Sequence, residues 1–345
     1  MGLFKSFGEN PSGTRQSLVQ RSPNYKGSNF QNISETVLMA ENASMLKTAW
    51  KFFNKPKNTA PSSPLPSVKT DLKTLSSDQP VIVWFGHSSY FIRINNKNIL
   101  VDPVLSGSAS PFSFGAKSFA GSDVYTADDF PEIDILILTH DHYDHLDNRT
   151  VSKFKAKTKN ICASLGVGSH LTFWGFDEKN ITELDWWQGK QFPGSIELTA
   201  APARHFSGRS FNRNQTLWSS FILTAPGYRL YLGGDSGYDS HFKTIGEKFG
   251  PFDIAILESG QYNVQWPHIH MMPEETVQAS IDLKAKVLLP VHWGKFALAL
   301  HPWSEPVERV LAKAKELDVK VTTPLIGEPV ILNHSYPDKK WWVGI

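Results

Sequence analysis

Short apolar runs recur along the chain from Gln79 onwards, and each of them ends at a glycine, a proline, an asparagine or a charged residue. Runs such as "VIVWFG", "IDILILTH" and "KVLLPVHWG" are rich in β-branched and aromatic residues, which is typical of strands. Amphipathic segments such as "DSHFKTIGEKFG" and "PEETVQASIDLK" lie between the later runs and predict helices. The pattern therefore predicts an α/β protein whose early strands form meanders and whose later strands alternate with helices.

The first 75 residues have a different texture, rich in Ser, Asn, Lys and Pro, and they culminate in "NKPKNTAPSSPLPS". Such a composition buries too little apolar surface to fold by itself, so we predict an arm or linker at residues 1–75 and a folded domain at residues 76–345. Within the arm, "ETVLMAENASMLKTAWKFF" spaces its apolar residues as an amphipathic helix does. We expect this helix to dock on the domain, with a partner or a membrane surface as alternatives.

Composition and charge exclude several classes of protein. The 35 Lys and Arg residues balance 33 Asp and Glu residues, which indicates no nucleic-acid partner. The single cysteine, Cys162, cannot form an internal disulfide bond and has the apolar neighbours of a core residue. Neither a membrane span of roughly 18 to 20 apolar residues nor a secretory signal is evident in the sequence. We therefore expect a cytoplasmic protein, with peripheral attachment to a membrane surface as the alternative.

Histidine and aspartate residues follow directly after four of the strand-like runs. They are His140, His142, Asp144 and His145 behind "IDILILT", His205 behind "TAAPAR", Asp235 behind "LYLGG" and His292 behind "VLLPV". Loops at strand ends commonly carry catalytic and binding groups, because the rigid sheet positions them. Each residue alone is an ordinary loop residue, but together they favour a metal site.

The spacing in "HDHYDH" predicts two metal ions. Imidazoles two residues apart on a turn can point to one ion, and the next pair, Asp144 and His145, can point to a neighbouring ion. Nitrogen and oxygen ligands without thiolates suit zinc, with manganese or iron as alternatives. Asp235 follows two glycines that let the backbone turn close to the site, so it is the candidate for a carboxylate that bridges both ions.

The motif "HDHYDH" resembles the H-x-H-x-D-H signature of the metallo-β-lactamase superfamily. The segments "WFGHSSYFI", "DPVLSGSASP", "ITELDWW" and "GDSGY" resemble the branch that contains N-acylphosphatidylethanolamine-hydrolysing phospholipase D. This resemblance covers about residues 81–330 and implies a four-layer αββα sandwich for the catalytic domain. It also implies a ligand set for two zinc ions: His140, His142 and His205 for the first, Asp144, His145 and His292 for the second, and Asp235 as the bridge. His270, in "HIHMMPEE", matches a family histidine near the metals.

The activity that the resemblance implies is a dinuclear zinc-dependent phosphodiesterase of the phospholipase D type. It would hydrolyse N-acyl phosphatidylethanolamine-like phospholipids to phosphatidic acid and N-acylethanolamine. Asp235 would orient the attacking hydroxide, and either His270 or a metal-bound water would give the leaving alkoxide its proton.

The substrate of such an enzyme is open at the level of sequence. Aromatic loops such as "SPFSFGAKSF" and "KFALALHPW" suit an apolar phospholipid and a peripheral membrane contact, although core packing explains them equally well. Arg204, Arg209 and Arg213 are candidates to meet a phosphate, or are ordinary surface residues. A hydrolase of a soluble phosphoester or lactone and a non-hydrolytic metal- and lipid-binding protein are the two alternative hypotheses.

Overall fold

The computed structural model describes residues 4–40, 50, 54–76, 78–209 and 212–345. Two β-sheets pack face to face, and helices cover the outer face of each sheet. The expected four-layer αββα sandwich is confirmed. The predicted α/β character is therefore realised as two mixed sheets around one inner core.

The secondary structure of the described residues contains the predicted runs from Val81 onwards, and it adds an unpredicted strand at Thr158–Ser164 and short elements in the arm. The strands are β1 (Tyr25–Lys26), β2 (Asn29–Phe30), β3 (Val81–Trp84), β4 (Tyr90–Ile94), β5 (Lys97–Val101), β6 (Ile133–Leu138), β7 (Thr158–Ser164), β8 (Ile181–Leu184), β9 (Gly189–Phe192), β10 (Ile196–Ala201), β11 (Ser220–Ala225), β12 (Tyr228–Leu232), β13 (Ile254–Glu258), β14 (Leu288–Val291) and β15 (Pro329–Ile331). The α-helices are α1 (Gly13–Gln20), α2 (Asn148–Phe154), α3 (Gly168–Phe173), α4 (His241–Phe249), α5 (Pro273–Asp282) and α6 (Glu305–Glu316). Short 3-10 helices lie at Phe4–Phe7, Lys57–Thr59, Ala127–Asp129 and Glu178–Asn180.

The strand order is β15-β3-β4-β5-β6-β7-β8 in the first sheet and β14-β13-β12-β11-β10-β9 in the second. In the first sheet β3, β4 and β5 form an antiparallel meander, and β5 to β8 run parallel. In the second sheet β12, β13 and β14 run parallel. Helices α4 and α5 make the crossovers between these parallel strands, as such connections require.

Strand β6 shows why its sequence is almost continuously apolar. Successive side chains of a strand point to opposite faces of the sheet. Ile135 and Ile137 pack in the core between the sheets, whereas Leu136 and Leu138 pack in the outer core, which also contains Phe154 of α2. Because both faces are buried, both sets of positions must be apolar, and the strand delivers its polar successors to one fixed edge.

The described part of the arm packs on the domain. Val19 of α1 and Phe30 of β2 are fully buried in a cluster with Trp186, Leu217 and Trp218 of the domain. Most of the helix predicted between Val37 and Phe53 falls on residues 41–49 and 51–53, which lie outside the described residues. The boundary near residue 75 stays a prediction. In the part of the chain that the structure describes, no helix combines the length and apolarity needed to cross a membrane.

Candidate metal centre

The loops that follow β6, β10, β12 and β14 meet at one edge of the sandwich, and they bring the predicted metal ligands together. The structure groups these residues into overlapping sets whose ligand atoms lie within 4.8 Å of one another. Five of the predicted ligands are buried, namely His140, His145, His205, Asp235 and His292. The other two, His142 and Asp144, are partly buried.

The first cluster contains His140, His142, His205 and Asp235. The Nδ1 atom of His142 lies 3.0 Å from His140 Nε2 and 3.2 Å from His205 Nε2. Asp235 Oδ2 lies 3.8 Å from His140 Nε2 and 3.6 Å from His205 Nε2. Three imidazole nitrogens that converge in this way cannot all be satisfied by one another's protons, whereas one cation with tetrahedral preference suits three nitrogens and an oxygen.

The second cluster lies on the other side of the same carboxylate. Asp235 Oδ1 is 3.0 Å from His145 Nε2 and 3.1 Å from His292 Nδ1. Asp144 Oδ2 is 3.8 Å from the same Nε2 of His145. The carboxylate of Asp235 thus turns one oxygen to each cluster.

Buried polar atoms in the second cluster support the presence of a cation. Asp235 Oδ1 and His145 Nε2 are close but are not aligned for a hydrogen bond, and His292 Nε2 has no hydrogen-bond partner among the described residues. Leaving buried polar atoms unpaired is costly, and a bound cation would satisfy these lone pairs. The residues present therefore suit a metal ion in both clusters.

The two glycines before Asp235 are required by close packing. A Cβ atom on Gly234 would lie 2.8 Å from the Cβ of Thr139, and one on Gly233 would lie 2.6 Å from the carbonyl oxygen of Ile256. Both distances are shorter than real Cβ contacts allow. A larger residue at Gly234 would push the Asp235 loop away from the loop that carries His140, and a larger residue at Gly233 would push it away from β13.

Hydrogen bonds to the far ring nitrogens orient two of the histidines. Asp102 Oδ2 lies 2.8 Å from His145 Nδ1, and the carbonyl oxygen of Ile269 lies 2.8 Å from His205 Nδ1. Each contact fixes the tautomer that presents Nε2 to the cluster, as is usual for histidines that bind metal. Asp102 lies in "DPVLSGSASP", a segment noted for its resemblance, but the sequence alone indicated no role for it.

The imidazoles of the first cluster are held neutral. Burial, reinforced by the neighbouring histidines, lowers the pKa of His140 and His205 well below the ordinary value. Burial likewise lowers the pKa of His142 to about 4. Neutral imidazole is the form that binds metal, so these side chains are ready ligands at neutral pH.

The charge state of the second cluster is different. Burial lowers the pKa of His145, but the negative charges of Asp235 and Asp144 outweigh it and raise that pKa well above the ordinary value. Burial also raises the pKa of Asp235, to about 6, although the charge of His145 opposes this. Without a metal ion, His145 is therefore protonated, and the negative charges of the carboxylates stabilise its positive charge.

His87 is a member of the second cluster that sequence reasoning missed. It lies in the turn between β3 and β4, is fully buried, and places its Nε2 atom 2.9 Å from Asp144 Oδ2. Its backbone is in the left-handed region, with φ of 53°. The signal that found the other ligands was also present here, because His87 directly follows the strand-like run "VIVWFG".

His270 lies beside both clusters, with its ring centroid 5.1 Å from that of His205 and 5.2 Å from that of His292. Its Nδ1 atom is 2.8 Å from Oε2 of the buried Glu258, whose other oxygen accepts the N–H of Met271. Asp235, Glu258, His270 and His292 have a spacing that could also hold an ion. Because N–H groups already occupy the Glu258 oxygens, we interpret Glu258 as the acceptor that orients His270.

A cavity of about 200 Å³ opens onto the two clusters. Its walls include the apolar side chains of Phe206, Trp266, Ile269 and Leu298 as well as the amide of Gln261. Sites of this kind, mostly apolar with a few polar groups, are typical of small-molecule binding. Asp235 and ligands of both clusters also line this cavity.

The structure separates the three arginines that were candidates to meet a phosphate. Arg209 is buried and donates to the carbonyl oxygens of Asp141 and Leu146, so it is neither a surface residue nor free to meet a phosphate. Arg204 is held by the arm, through the carbonyl oxygen of Glu35. Arg213 is exposed, and its guanidinium lies 5.5 Å from the ring centroid of Phe206 at the cavity.

Several known proteins resemble this chain over most of its length. The sequence model of the beta-lactamase superfamily domain matches residues 97–293. An uncharacterized protein of Mycobacterium tuberculosis (strain ATCC 25618 / H37Rv) is 38% identical over 333 residues, which cover 95% of this chain and 89% of that protein. The N-acyl-phosphatidylethanolamine-hydrolyzing phospholipase D 1 of Caenorhabditis elegans is 30% identical over 264 residues, which cover 71% of this chain and 74% of that protein.

Among solved structures, a metallo hydrolase from the hyperthermophilic archaeon Ignicoccus hospitalis superposes with a TM-score of 0.58 at 19% sequence identity. The match covers 74% of this chain and 100% of the archaeal chain, which shows a shared fold. The fold, the matched superfamily domain and the histidine and aspartate clusters lead to one assignment. The chain belongs to the beta-lactamase superfamily and is a metal-dependent hydrolase.

Proposed function

We propose that the protein is a dinuclear zinc-dependent phosphodiesterase that cleaves N-acyl phosphatidylethanolamine-like phospholipids to phosphatidic acid and N-acylethanolamine. One observation carries the dinuclear part of this proposal. Asp235 is 3.6 Å from His205 through Oδ2 and 3.0 Å from His145 through Oδ1, so a single carboxylate serves two ligand clusters.

Two bound zinc ions would supply a hydroxide nucleophile, by lowering the pKa of water to roughly 7, and would polarise the phosphoryl oxygens. The chain's own contribution is to hold the ligands rigidly. Asp102 and the Ile269 carbonyl fix the rings of His145 and His205. Asp235 lies between the clusters and would accept a hydrogen bond from the nucleophile. In this assignment Asp235 orients the nucleophile and His270 acts on the leaving group.

His270 is placed to give a proton to the departing ethanolamine oxygen. Glu258 accepts from Nδ1 and thereby leaves Nε2 of His270 for the cavity, which this histidine lines. A leaving alkoxide needs a proton or charge stabilisation, and a positioned imidazole contributes typically 10²- to 10⁴-fold in rate. Because Nδ1 carries the ring proton, Nε2 would first take up the proton that the attacking water gives up, and it would then pass this proton to the alkoxide as the P–O bond breaks.

The choice of a phospholipid rests on the cavity walls and on similarity. Phe206, Trp266, Ile269 and Leu298 give acyl chains an apolar surface beside the clusters, and Arg213 offers a positive charge to the phosphodiester. The Caenorhabditis elegans relative bears the name of an enzyme with this substrate. These observations support the proposal together, since neither alone specifies the head group.

An aromatic patch near the site supports contact with a membrane surface. Ring contacts connect Phe4, Phe7, Phe112 and Phe114, with centroids 5.3 to 6.3 Å apart, and Phe7 also touches Tyr143 of the metal-binding loop. Phe4 is 78% exposed and Phe114 is 75% exposed. Exposed aromatic rings favour the interfacial region of a bilayer. We propose that the protein takes its substrate from that surface while bound peripherally.

The purified protein tests the proposal directly. Its metal content would be measured, and it would be offered N-acyl phosphatidylethanolamine and plain phosphatidylethanolamine in micelles, with the products identified by mass spectrometry. Two zinc ions per chain and N-acylethanolamine as a product are expected. The D235N variant should bind less zinc and should release no N-acylethanolamine. Turnover of short soluble phosphoesters or lactones but not of the phospholipid would overturn the substrate assignment.

A soluble phosphoester or lactone is the second candidate substrate, because the cavity beside the clusters measures only about 200 Å³. That volume accommodates a small ester more readily than two acyl chains. Replacement of both exposed rings, in the double variant F4S/F114S, distinguishes the candidates. It should reduce turnover of vesicle-borne phospholipid and leave turnover of a soluble diester unchanged if the membrane proposal holds.

A further inference from the structure

Asn32, in the N-terminal arm, makes a two-point contact with the backbone of His205. Its Nδ2 atom donates to the carbonyl oxygen of His205 at 2.8 Å, and its Oδ1 atom accepts the N–H of His205 at 3.0 Å. The two residues are separated by 173 positions in the sequence. One side-chain amide therefore replaces the pair of hydrogen bonds that a neighbouring strand would make with this residue.

The orientation of the Asn32 amide follows from its donors. The indole Nε1 of Trp218 also donates to Asn32 Oδ1, at 3.0 Å. An indole N–H and a backbone N–H can only donate, so the atom that both of them meet must be the oxygen. The amide nitrogen is then left to face the carbonyl oxygen of His205.

The arm around Asn32 is anchored firmly enough to act as a support. Phe30, two residues before it, is fully buried, and its N–H donates to the carbonyl oxygen of Asn214 at 2.8 Å. A few residues further along, the carbonyl oxygen of Glu35 accepts from the guanidinium of Arg204, also at 2.8 Å. The arm thus forms hydrogen bonds with two consecutive residues of this segment, Arg204 and His205.

The imidazole of His205 depends on this backbone position. Its Nδ1 atom pairs with the carbonyl oxygen of Ile269 at 2.8 Å, and its Nε2 atom reaches His142 Nδ1 at 3.2 Å. The ring is therefore fixed at one end by Ile269 and at its Cα by Asn32. A shift of the backbone would break the approach of Nε2 to the first cluster.

We propose that Asn32 is a positioning residue for His205, so that the N-terminal arm forms a structural part of the first metal cluster. The inference rests on the proposed role of His205 as a metal ligand. Asn32 contacts neither the metal nor the substrate. It acts by holding the backbone of His205, and outer groups that orient ligands change metal affinity by roughly 10- to 100-fold.

The test compares Asn32→Ala with Asn24→Ala. Asn24 is a matched control, because its amide also ties the arm to the domain, by donating to Asp185 at 3.0 Å, but it does not touch a ligand segment. Zinc affinity at each cluster would be measured by competition with a chelator, and amide hydrogen exchange at His205 would be measured in the metal-free protein. Asn32→Ala should lower the affinity of the first cluster by roughly 10- to 100-fold and accelerate this exchange by about tenfold. Asn24→Ala should change neither quantity.

Other outcomes decide against the inference. Unchanged affinity in Asn32→Ala would overturn it, and so would an equal loss in Asn24→Ala, which would assign the effect to arm docking in general. If Asn32→Ala does not fold, Asn32→Asp keeps the acceptor oxygen and removes only the donor to His205, and a smaller loss at the first cluster alone is expected. If the wild-type protein binds no zinc while Asn32→Ala still accelerates amide exchange at His205, the proposed function is refuted. The contact of Asn32 with His205 is then purely structural.

Discussion

The two clusters that share Asp235 differ in charge more than in their types of ligand. The first combines that carboxylate with imidazoles whose pKa values are lowered by burial. The second adds Asp144 and a His145 whose pKa is raised, against the effect of burial, by the two carboxylates. An ion entering the second cluster must displace a proton from His145, whereas the first needs no such exchange. We therefore expect the first cluster to fill at lower zinc concentration.

The largest effect is expected from Asp235→Asn, which removes the charge that both clusters share. Zinc content should fall at both sites, and turnover should fall by more than the roughly 10- to 100-fold loss that follows removal of an outer orienting group. Atomic spectroscopy and product assays measure the two changes. Asp128→Asn, an exposed aspartate of the 3-10 helix at Ala127–Asp129, is the control. Full retention of one zinc ion would show that the carboxylate is not a bridge.

Acidification from pH 7.5 to 6.5 should separate the clusters. Because the pKa of His145 is raised, the metal-free second cluster holds a proton in this range, which zinc must displace. The zinc affinity of this cluster should therefore weaken by up to about tenfold over this one pH unit. The first cluster should change less, since the pKa of His142 is about 4 and this range stays above the value of about 6 for Asp235. Zinc titrations at both pH values measure the difference. An equal decline at both clusters would contradict it.

Replacement of His87 should affect the second cluster alone. His87→Ala removes the partner of Asp144 at 2.9 Å, so second-site zinc affinity should fall by roughly 10- to 100-fold while the first site is unchanged. His87→Gln restores a donor of different reach and should lose less. His334→Ala, at an exposed position, controls for loss of a histidine. Loss at the first cluster as well would show that the two sites are not independent.

The smallest effect is expected from Arg213→Gln, which touches neither cluster. Zinc content should stay at the wild-type value, and the KM for a phosphodiester should rise by about fivefold, in keeping with about 1 kcal/mol for an exposed charge interaction. Arg21→Gln, an exposed arginine of the arm, is the control. An unchanged KM would remove Arg213 from the substrate site.

Much of the domain could be predicted from local patterns. Strand β6 is buried on both faces, so its apolar run and its polar successors were visible in the sequence. Strand β7 was not predicted, because its first three residues, Thr158 to Asn160, are polar and only the second half is buried. The arm was predicted from composition as an arm or linker with a docked helix, and composition gave no sign that Val19 and Phe30, outside that helix, are fully buried against the domain.

The sequence by itself determined which residue types stand at the strand ends, since a strand's apolar run and the residues that follow it are adjacent in the chain. The tertiary structure alone decided how Asp235 divides its oxygens, that His87 meets Asp144, and that Asn32 holds His205. It also decided that Arg209 is buried and donates to backbone carbonyl oxygens, whereas Arg213 stays exposed beside Phe206. These are contacts between residues far apart in sequence, and packing of the two sheets and the arm, rather than any local preference, brings them within hydrogen-bonding distance.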